Sequence, residues 1–252
     1  MKIVACFKNV PDARDIVVNE DRTIDTTRAS YAIGEYDLNA IEEGSLLAEA
    51  DDSVEFIALT ADGPSAATPK MKKNVLSRGP HRLVVAQNDQ LQTANALDTA
   101  KAIAEAIESI GGVDLVLFGE GSSDMCQQQV GSMTAAILGF NAVNAISKLE
   151  LDGEKIEATR TTEDSVQHLR IGLPACISVT SGINKPRISS MKAILAAGKK
   201  PIDVMDAVVN ADKSVEVKSV LAPEKEDRKR IVFEDASDEN LKKFFQEIRS
   251  AI

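Results

Sequence analysis

The chain has few of the side chains that carry most enzyme chemistry. Its 252 residues include no Trp, two His and three Cys, and aromatic residues make up 4%. Cys6, Cys126 and Cys176 are odd in number and far apart, which predicts free thiols rather than a disulfide framework or a metal site. Because His81 and His168 stand apart from any Ser or Cys in a nucleophile motif, no catalytic triad is indicated.

The chain also lacks an excess of positive charge and long apolar runs. The formal net charge is −10, which argues against nucleic acid or an anionic membrane surface as a partner. No apolar run approaches the roughly 20 residues that a membrane-spanning helix needs. The sequence begins with a pattern typical of a strand rather than of a signal peptide. We therefore expect a cytoplasmic protein with no direct membrane insertion.

Strand and helix patterns alternate over the first 140 residues. Strands are predicted over Lys2 to Phe7, Val54 to Thr60, Arg82 to Ala86 and Asp114 to Phe118, and helices over Asp37 to Ala50, Pro64 to Leu76, Thr93 to Ile110 and Met125 to Leu138. Asp37 is predicted to be a helix N-cap. This alternation predicts a doubly wound, mostly parallel α/β sheet.

The remainder of the chain has a different pattern. Short strands over Ile146 to Leu151, Lys155 to Thr161, Val166 to Ile171 and Ala175 to Thr180 are predicted to extend the sheet in antiparallel fashion. We expect residues 1–222 to form one nucleotide-binding domain. Residues 223–252 are expected to form a charged linker and a C-terminal helical arm, with an apolar stripe at helical spacing formed by Leu241, Phe244, Phe245, Ile248 and Ile252.

The most informative stretch is a buried strand pattern followed by a Gly/Ser loop over Gly119 to Asp124. Strand, small-residue loop and helix together direct backbone N–H groups towards an anion. The loop lacks the third glycine of the dinucleotide fingerprint and the lysine of a P-loop. Two interpretations remain open here, a phosphate-binding loop and an ordinary turn with Ser or Asp as the helix N-cap.

Paired carboxylates are the remaining candidates for catalysis. Glu42 and Glu43 are adjacent on a predicted helix, and Glu163 and Asp164 lie in a predicted turn. We interpret both pairs as solvated surface. Without catalytic side chains the protein is expected not to be an enzyme in its own right, and any redox chemistry requires a bound cofactor.

Five segments in order resemble the beta subunit of electron transfer flavoprotein, with an adenine-nucleotide alpha-hydrolase-like, Rossmann-like fold. They are Lys2 to Asp12, Tyr36 to Glu42, Gly119 to Gly131, Arg160 to Ser178 and Asn184 to Lys200. Residues 190–195 together with 122–124 are most similar to the Fix-type branch associated with anaerobic metabolism.

The resemblance implies a heterodimer with an alpha subunit that holds most of an FAD at the interface. The beta subunit would bind AMP or, as in electron-bifurcating relatives, a second FAD. Residues 37–40 are more similar to the bifurcating relatives, which favours the second FAD. The nucleotide contacts implied by the resemblance are Cys6, Gly34, Tyr36, Asp37, Ala61, Gly119, Gly121, Ser122, Ser123, Asp124, Gln127, Gln128, Gln129 and Val130.

The resemblance also implies protein partners. The donor would be a flavin dehydrogenase such as an acyl-CoA dehydrogenase, and a quinone oxidoreductase and ferredoxin are further candidate partners. Met191, flanked by Arg187 and Lys192 within the recognition segment 184–200, would be the apolar anchor; the alternative is a methionine of a helix core. Two interpretations of the C-terminal helix stay open, packing on its own domain and packing on the alpha subunit, and the charged linker before it favours the alpha subunit.

Two positions depart from the family pattern, with Thr161 where Glu is frequent and Ala13 where an aromatic residue lies near the flavin. Two other functions stay open. One is a stand-alone adenine-nucleotide sensor of the universal-stress type, which would be an ATP-binding homodimer. The other is a structural interaction domain without a ligand.

Overall fold

The computed structural model describes residues 1–209, 218–224 and 230–250. The strands are β1 (Lys2–Cys6), β2 (Asn9–Pro11), β3 (Val17–Val18), β4 (Ile24–Asp25), β5 (Tyr31–Ile33), β6 (Glu55–Asp62), β7 (Arg82–Gln87), β8 (Leu115–Gly119), β9 (Asn141–Asp152), β10 (Lys155–Thr161), β11 (Val166–Gly172), β12 (Ala175–Val179) and β13 (Ile202–Asp206). The α-helices are α1 (Glu35–Ala50), α2 (Pro69–Leu76), α3 (Ala96–Ile110), α4 (Val130–Leu138), α5 (Met191–Ala197) and α6 (Asp238–Arg249).

Nine of these strands form one sheet in the order β11-β10-β9-β12-β8-β1-β6-β7-β13. Within the described residues all of them except β10 run in the same direction. The predicted doubly wound, mostly parallel α/β fold is therefore confirmed. The chain order reverses between β1 and β8, and ligands of such folds bind at this switch point, beyond the carboxyl ends of the strands.

Apolar side chains cover both faces of the sheet. Ile3, Val4 and Ala5 of β1 are fully buried in succession, which is typical of a parallel strand with helices on both sides. Ile3 and Ala5 pack in the cluster that includes α1 and α2 residues, whereas Val4 packs in the cluster that includes α3 and α4 residues. Burying one Ile or Val side chain contributes about 1.5–3 kcal/mol.

The sheet differs from the prediction in two ways, one on each side of β1. Strands β9, β10 and β11 form the predicted antiparallel extension. However, β12 inserts between β8 and β9, parallel to both. Its residues Ala175, Cys176 and Ile177 are all buried, so it is a central strand. The sequence prediction also missed β13, an edge strand on β7, because exposed Asp203 and Asp206 interrupt its apolar pattern.

Helix starts were predicted less well than helix positions. Helix α1 begins at Glu35, so Asp37 lies inside its first turn and is not its N-cap. Helix α4 begins at Val130 rather than at Met125. Cys126 and Gln128 have φ angles of 46° and 56°, and a right-handed helix excludes such angles. Residues 120–129 therefore form a long loop.

The structure divides into two compact units. The first contains Met1–Val17 and Asp25–Lys218, and the second contains Val18–Ile24 and the C-terminal segment from Ser219. In the second unit Arg22 Nη1 lies 2.6 Å from Glu224 Oε1. Part of the predicted linker, residues 225–229, and Ile252 lie outside the described residues.

Helix α6 of the second unit is amphipathic, and none of its residues is buried. The described members of its predicted stripe remain between 39% and 57% exposed; they are Leu241, Phe244, Phe245 and Ile248. Across the described residues, no helix combines the length and the hydropathy needed to cross a bilayer.

A buried polar clamp joins the segment before α5 to α1. Glu42 is 6% exposed and accepts hydrogen bonds from Arg187 Nε at 2.8 Å and from its backbone N–H at 3.0 Å. Glu43 accepts from Asn184 Nδ2 at 2.9 Å. The prediction of a solvated face for this pair was therefore wrong, because the distant segment covers it. Glu42, and then Glu49, raise the pKa of Arg187 above its ordinary value.

The clamp generates a stability prediction. Replacement Glu42→Ala leaves the Arg187 guanidinium without its buried partner and should lower the free energy of unfolding by about 2–3 kcal/mol. Glu49 pairs with the same guanidinium but is 58% exposed, so Glu49→Ala should cost less than about 1 kcal/mol. Urea unfolding of both variants measures the difference. Equal losses in the free energy of unfolding for the two variants would contradict the role of Glu42 as the buried partner of Arg187.

Candidate functional site

A cavity of about 510 Å³ opens at the switch point between β1 and β8. It is lined by the ends of β1, β6 and β8, by β9 and β12, and by the first turns of α3 and α4. Eleven of the fourteen residues predicted to contact a nucleotide line it, namely Cys6, Asp37, Ala61, Gly119, Gly121, Ser122, Asp124, Gln127, Gln128, Gln129 and Val130. Gly34, Tyr36 and Ser123 do not line it.

The Asp37 carboxylate joins the first turn of α1 to the ends of two strands. Its Oδ2 accepts from the Lys8 backbone N–H at 2.8 Å, and its Oδ1 accepts from that of Gly119 at 3.3 Å. Burial raises the pKa of Asp37 to about 7, although both backbone hydrogen bonds act in the opposite direction. Asp37 is thus a neutral or half-ionised acid near pH 7.

Two predicted ligand-contact glycines have a packing role at this junction. A Cβ on Gly119 would lie 2.6 Å from the Tyr36 carbonyl carbon, and a Cβ on Gly34 would lie 2.7 Å from Asp37 Oδ2. Real Cβ atoms do not approach other heavy atoms so closely, whether backbone, as at Gly119, or side chain, as at Gly34. The missing side chains therefore allow α1 to pack against the ends of β1 and β8.

The loop after β8 is fixed by Lys8 and Asp124. Lys8 Nζ donates to Asp124 Oδ2 at 2.6 Å, and Asp124 Oδ1 accepts from the Met125 N–H at 2.8 Å. Burial acts to raise the pKa of Asp124, but the Lys8 and Ser122 hydrogen bonds and the Lys8 charge hold it below its usual value. The loop is therefore an ordered wall of the cavity.

Helix α4 presents an open N-terminus to the cavity. Its N-cap residue Gln129 makes no side-chain capping hydrogen bond, and first-turn residues Val130, Gly131 and Ser132 line the cavity. The first N–H groups of a helix have no partner inside the helix, and they favour an anion. The structure thus places a helix N-terminus at the cavity, but α4 starts five residues later than predicted.

Several cavity residues were missed by sequence reasoning. Among them are Asn9, Asn95 and Thr99, and they line the cavity together with Asp62, which lies in the loop predicted to reach this edge. Asn9 is 6% exposed, and among the described residues neither polar atom of its amide has a hydrogen-bond partner. Burial raises the pKa of the neighbouring Asp62. The sequence feature that points to this edge of the sheet is a position at or just beyond the end of a strand, since Asn9 follows β1 and Asp62 ends β6.

The thiols in the cavity are unreactive. Cys6 and Cys176 are both buried, and burial raises the pKa of Cys176 to about 12 and that of Cys6 well above its ordinary value. Neutral buried thiols are poor nucleophiles. No group of three or more His, Cys, Asp or Glu side chains suited to a metal ion occurs in the described ranges.

A second group of predicted residues lies around α5. Met191, the first residue of α5, is 73% exposed, and Ile188 and Leu195 are also exposed. The alternative of a helix-core methionine is therefore wrong. Lys192 is exposed beside Met191, whereas Arg187 is engaged by Glu42 and Glu49, as described above.

Comparison with known protein families gives one match. Residues 21–210 match the family model described as electron transfer flavoprotein domain. The match covers most of the first compact unit, including the loop after β8, α4 and α5.

The Asp37 environment generates a pH prediction. The folded-state pKa of about 7 lies above the value of about 3.9 expected in the unfolded chain. The folded state therefore retains a proton that the unfolded state has lost, and the stability contributed by Asp37 falls as pH rises from about 4 to 7. Urea unfolding at pH 5 and pH 8 should show wild type losing more stability than Asp37→Asn. If the difference in the free energy of unfolding between wild type and Asp37→Asn did not change with pH, the raised pKa of Asp37 would be refuted.

Proposed function

Since the chain belongs to the electron transfer flavoprotein family, we propose that it is the beta subunit of a heterodimeric, Fix-type electron carrier whose own cavity binds a second FAD. The family membership rests on the match over residues 21–210. The subunit type, the ligand and the partners are the parts proposed here. The five sequence segments that resemble beta subunits, in the same order along the chain, support the assignment of this chain as a beta subunit.

The observation that carries the ligand proposal is the extent of the cavity across the sheet. Its lining includes residues of five adjacent strands, β9, β12, β8, β1 and β6. Four spacings of about 4.8 Å correspond to a span of about 19 Å. This length favours a dinucleotide lying across the strand ends over AMP, which would occupy only part of it.

The residues present suit such a ligand. Ser122, Gln129 and the first turn of α4 would hold the phosphates, because they combine hydroxyl, amide and unpaired backbone donors. The unpartnered Asn9 amide offers a further donor and acceptor. A bound flavin supplies the electron-transfer chemistry that the side chains lack. The protein would bind and orient it, and residues of the loop over 120–129 form one wall of the cavity.

Two exposed apolar surfaces support the proposed partners. The open face of α6, with Phe244 and Phe245, would pack on an alpha subunit that holds the first FAD. The apolar tip around α5, with Ile188, Met191 and Leu195, would enter a pocket on a flavin dehydrogenase of the acyl-CoA type. Exposed apolar clusters of this kind typically mark interaction sites. Without catalytic side chains, this chain would be an electron carrier rather than an enzyme.

The phosphate position can be tested at Ser132, an exposed first-turn residue of α4 that lines the cavity. Ser132→Glu places a negative charge beside the proposed phosphates and should weaken FAD binding at least about tenfold. Helix stability should not suffer, since an acidic residue suits a first turn. Ser132→Gln, of matched size and neutral, should change the Kd less than about threefold. Calorimetric titration with FAD measures both, and equal affinities of the two variants would place the phosphates elsewhere.

The docking role can be tested at Met191. Met191→Ala should lower kcat/KM for reduction by the partner dehydrogenase about fivefold to tenfold, because it removes a central apolar anchor. Nucleotide content should not change. Met191→Leu should retain most activity, and Val166→Ala, which trims an exposed side chain on the distant strand β11, should retain all of it. An unchanged kcat/KM for reduction of Met191→Ala by the partner dehydrogenase would refute the role of Met191 as an anchor.

A further inference from the structure

A short antiparallel ribbon forms one rim of the cavity. Strands β2 and β5 pair Asn9 with Ile33 and Pro11 with Tyr31. Residues directly opposite each other, and residues two apart along one strand, share a face of a ribbon. Asn9, Pro11 and Tyr31 therefore lie on the same face, and all three line the cavity.

Asn9 is the most unusual of these residues. It is 94% buried, since 6% of its surface is exposed, and neither the amide oxygen nor the amide nitrogen has a hydrogen-bond partner in the described part of the chain. Burial raises the pKa of the nearby Asp62 carboxyl, and its contact with the Asn9 amide acts in the opposite direction, but that contact lacks hydrogen-bond geometry in the described part of the chain. Leaving a buried amide unpaired is costly, so the position is explained if a ligand supplies the missing partners.

Tyr31 stands on the same face at the mouth of the cavity. It is 45% exposed, and among the described rings none stacks on it. An aromatic side chain beside a cavity mouth offers a flat apolar surface to a planar ligand. Pro11 opposite Tyr31 fixes the backbone of the ribbon at this point, because its ring restricts φ.

We propose that the ribbon is a ring-recognition subsite in which the Asn9 amide pairs with the polar edge of a planar heteroaromatic ring and Tyr31 covers its face. An amide places a donor beside an acceptor and therefore fits a ring edge with the complementary pair. Both ends of an FAD have such an edge, the adenine and the isoalloxazine. The inference rests on the proposed dinucleotide function and adds the residues that recognise the ring.

The test compares FAD binding by the full-length wild type with that by Asn9→Leu, Tyr31→Ala and Tyr31→Phe, by calorimetry. Asn9→Leu keeps the side-chain size but removes both polar atoms, and it should weaken FAD binding about tenfold or more. Tyr31→Ala should weaken it about fivefold, whereas Tyr31→Phe, which keeps the ring, should bind as wild type. Titration with AMP and with FMN then identifies the ring, since only the probe carrying that ring should lose affinity.

A second measurement separates ligand recognition from a structural role. In the ligand-free protein Asn9→Leu should keep or raise Tm, because it removes two unpaired buried polar atoms. If Asn9 had a structural role, its replacement by Leu would instead lower Tm. A lower Tm, or an unchanged FAD affinity in both Asn9→Leu and Tyr31→Ala, would overturn the subsite while leaving the proposed function intact. A wild type that binds no FAD would instead overturn the proposed function.

Discussion

The buried Asp37 carboxylate is the contact on which the site depends. It holds the first turn of α1 against the ends of β1 and β8, the two strands at which the chain order reverses. Glycine at 119 is required for this approach. Lys8, whose N–H binds Asp37, extends its own side chain to Asp124 and thereby fixes the loop that leads to α4. One acid thus positions the strand ends and, through Lys8, the proposed phosphate-binding wall.

Helix α1 also connects the nucleotide cavity to the proposed docking surface. Asp37 in its first turn belongs to the cavity, whereas Glu42 and Glu43, further along, hold the segment that contains Asn184 and Arg187. That segment leads into α5, which exposes Met191. A single helix therefore contacts both the cavity and the segment that leads to the proposed docking surface. The buried carboxyl groups of α1 are matched by hydrogen bonds, as the burial of polar groups requires.

Much of the fold could be predicted because alternating strand and helix patterns determine a doubly wound sheet. Strand β12 could not be placed, since sequence patterns do not show which strands become neighbours. The start of α4 was missed because the positive φ angles of Cys126 and Gln128 have no glycine to indicate them. Most predicted cavity residues lie on the expected edge, but Asn9 and Tyr31 come from a ribbon whose strands are only three residues long, too short to show a strand pattern.

The most direct test of the central claim is the identity and number of nucleotides bound when the chain is purified in complex with a co-expressed alpha subunit. Mass spectrometry and absorbance of the released ligands give both quantities. The span of the cavity across five strand ends predicts two FAD per complex and no AMP. One FAD together with one AMP, or no nucleotide beyond the FAD of the alpha subunit, would contradict it.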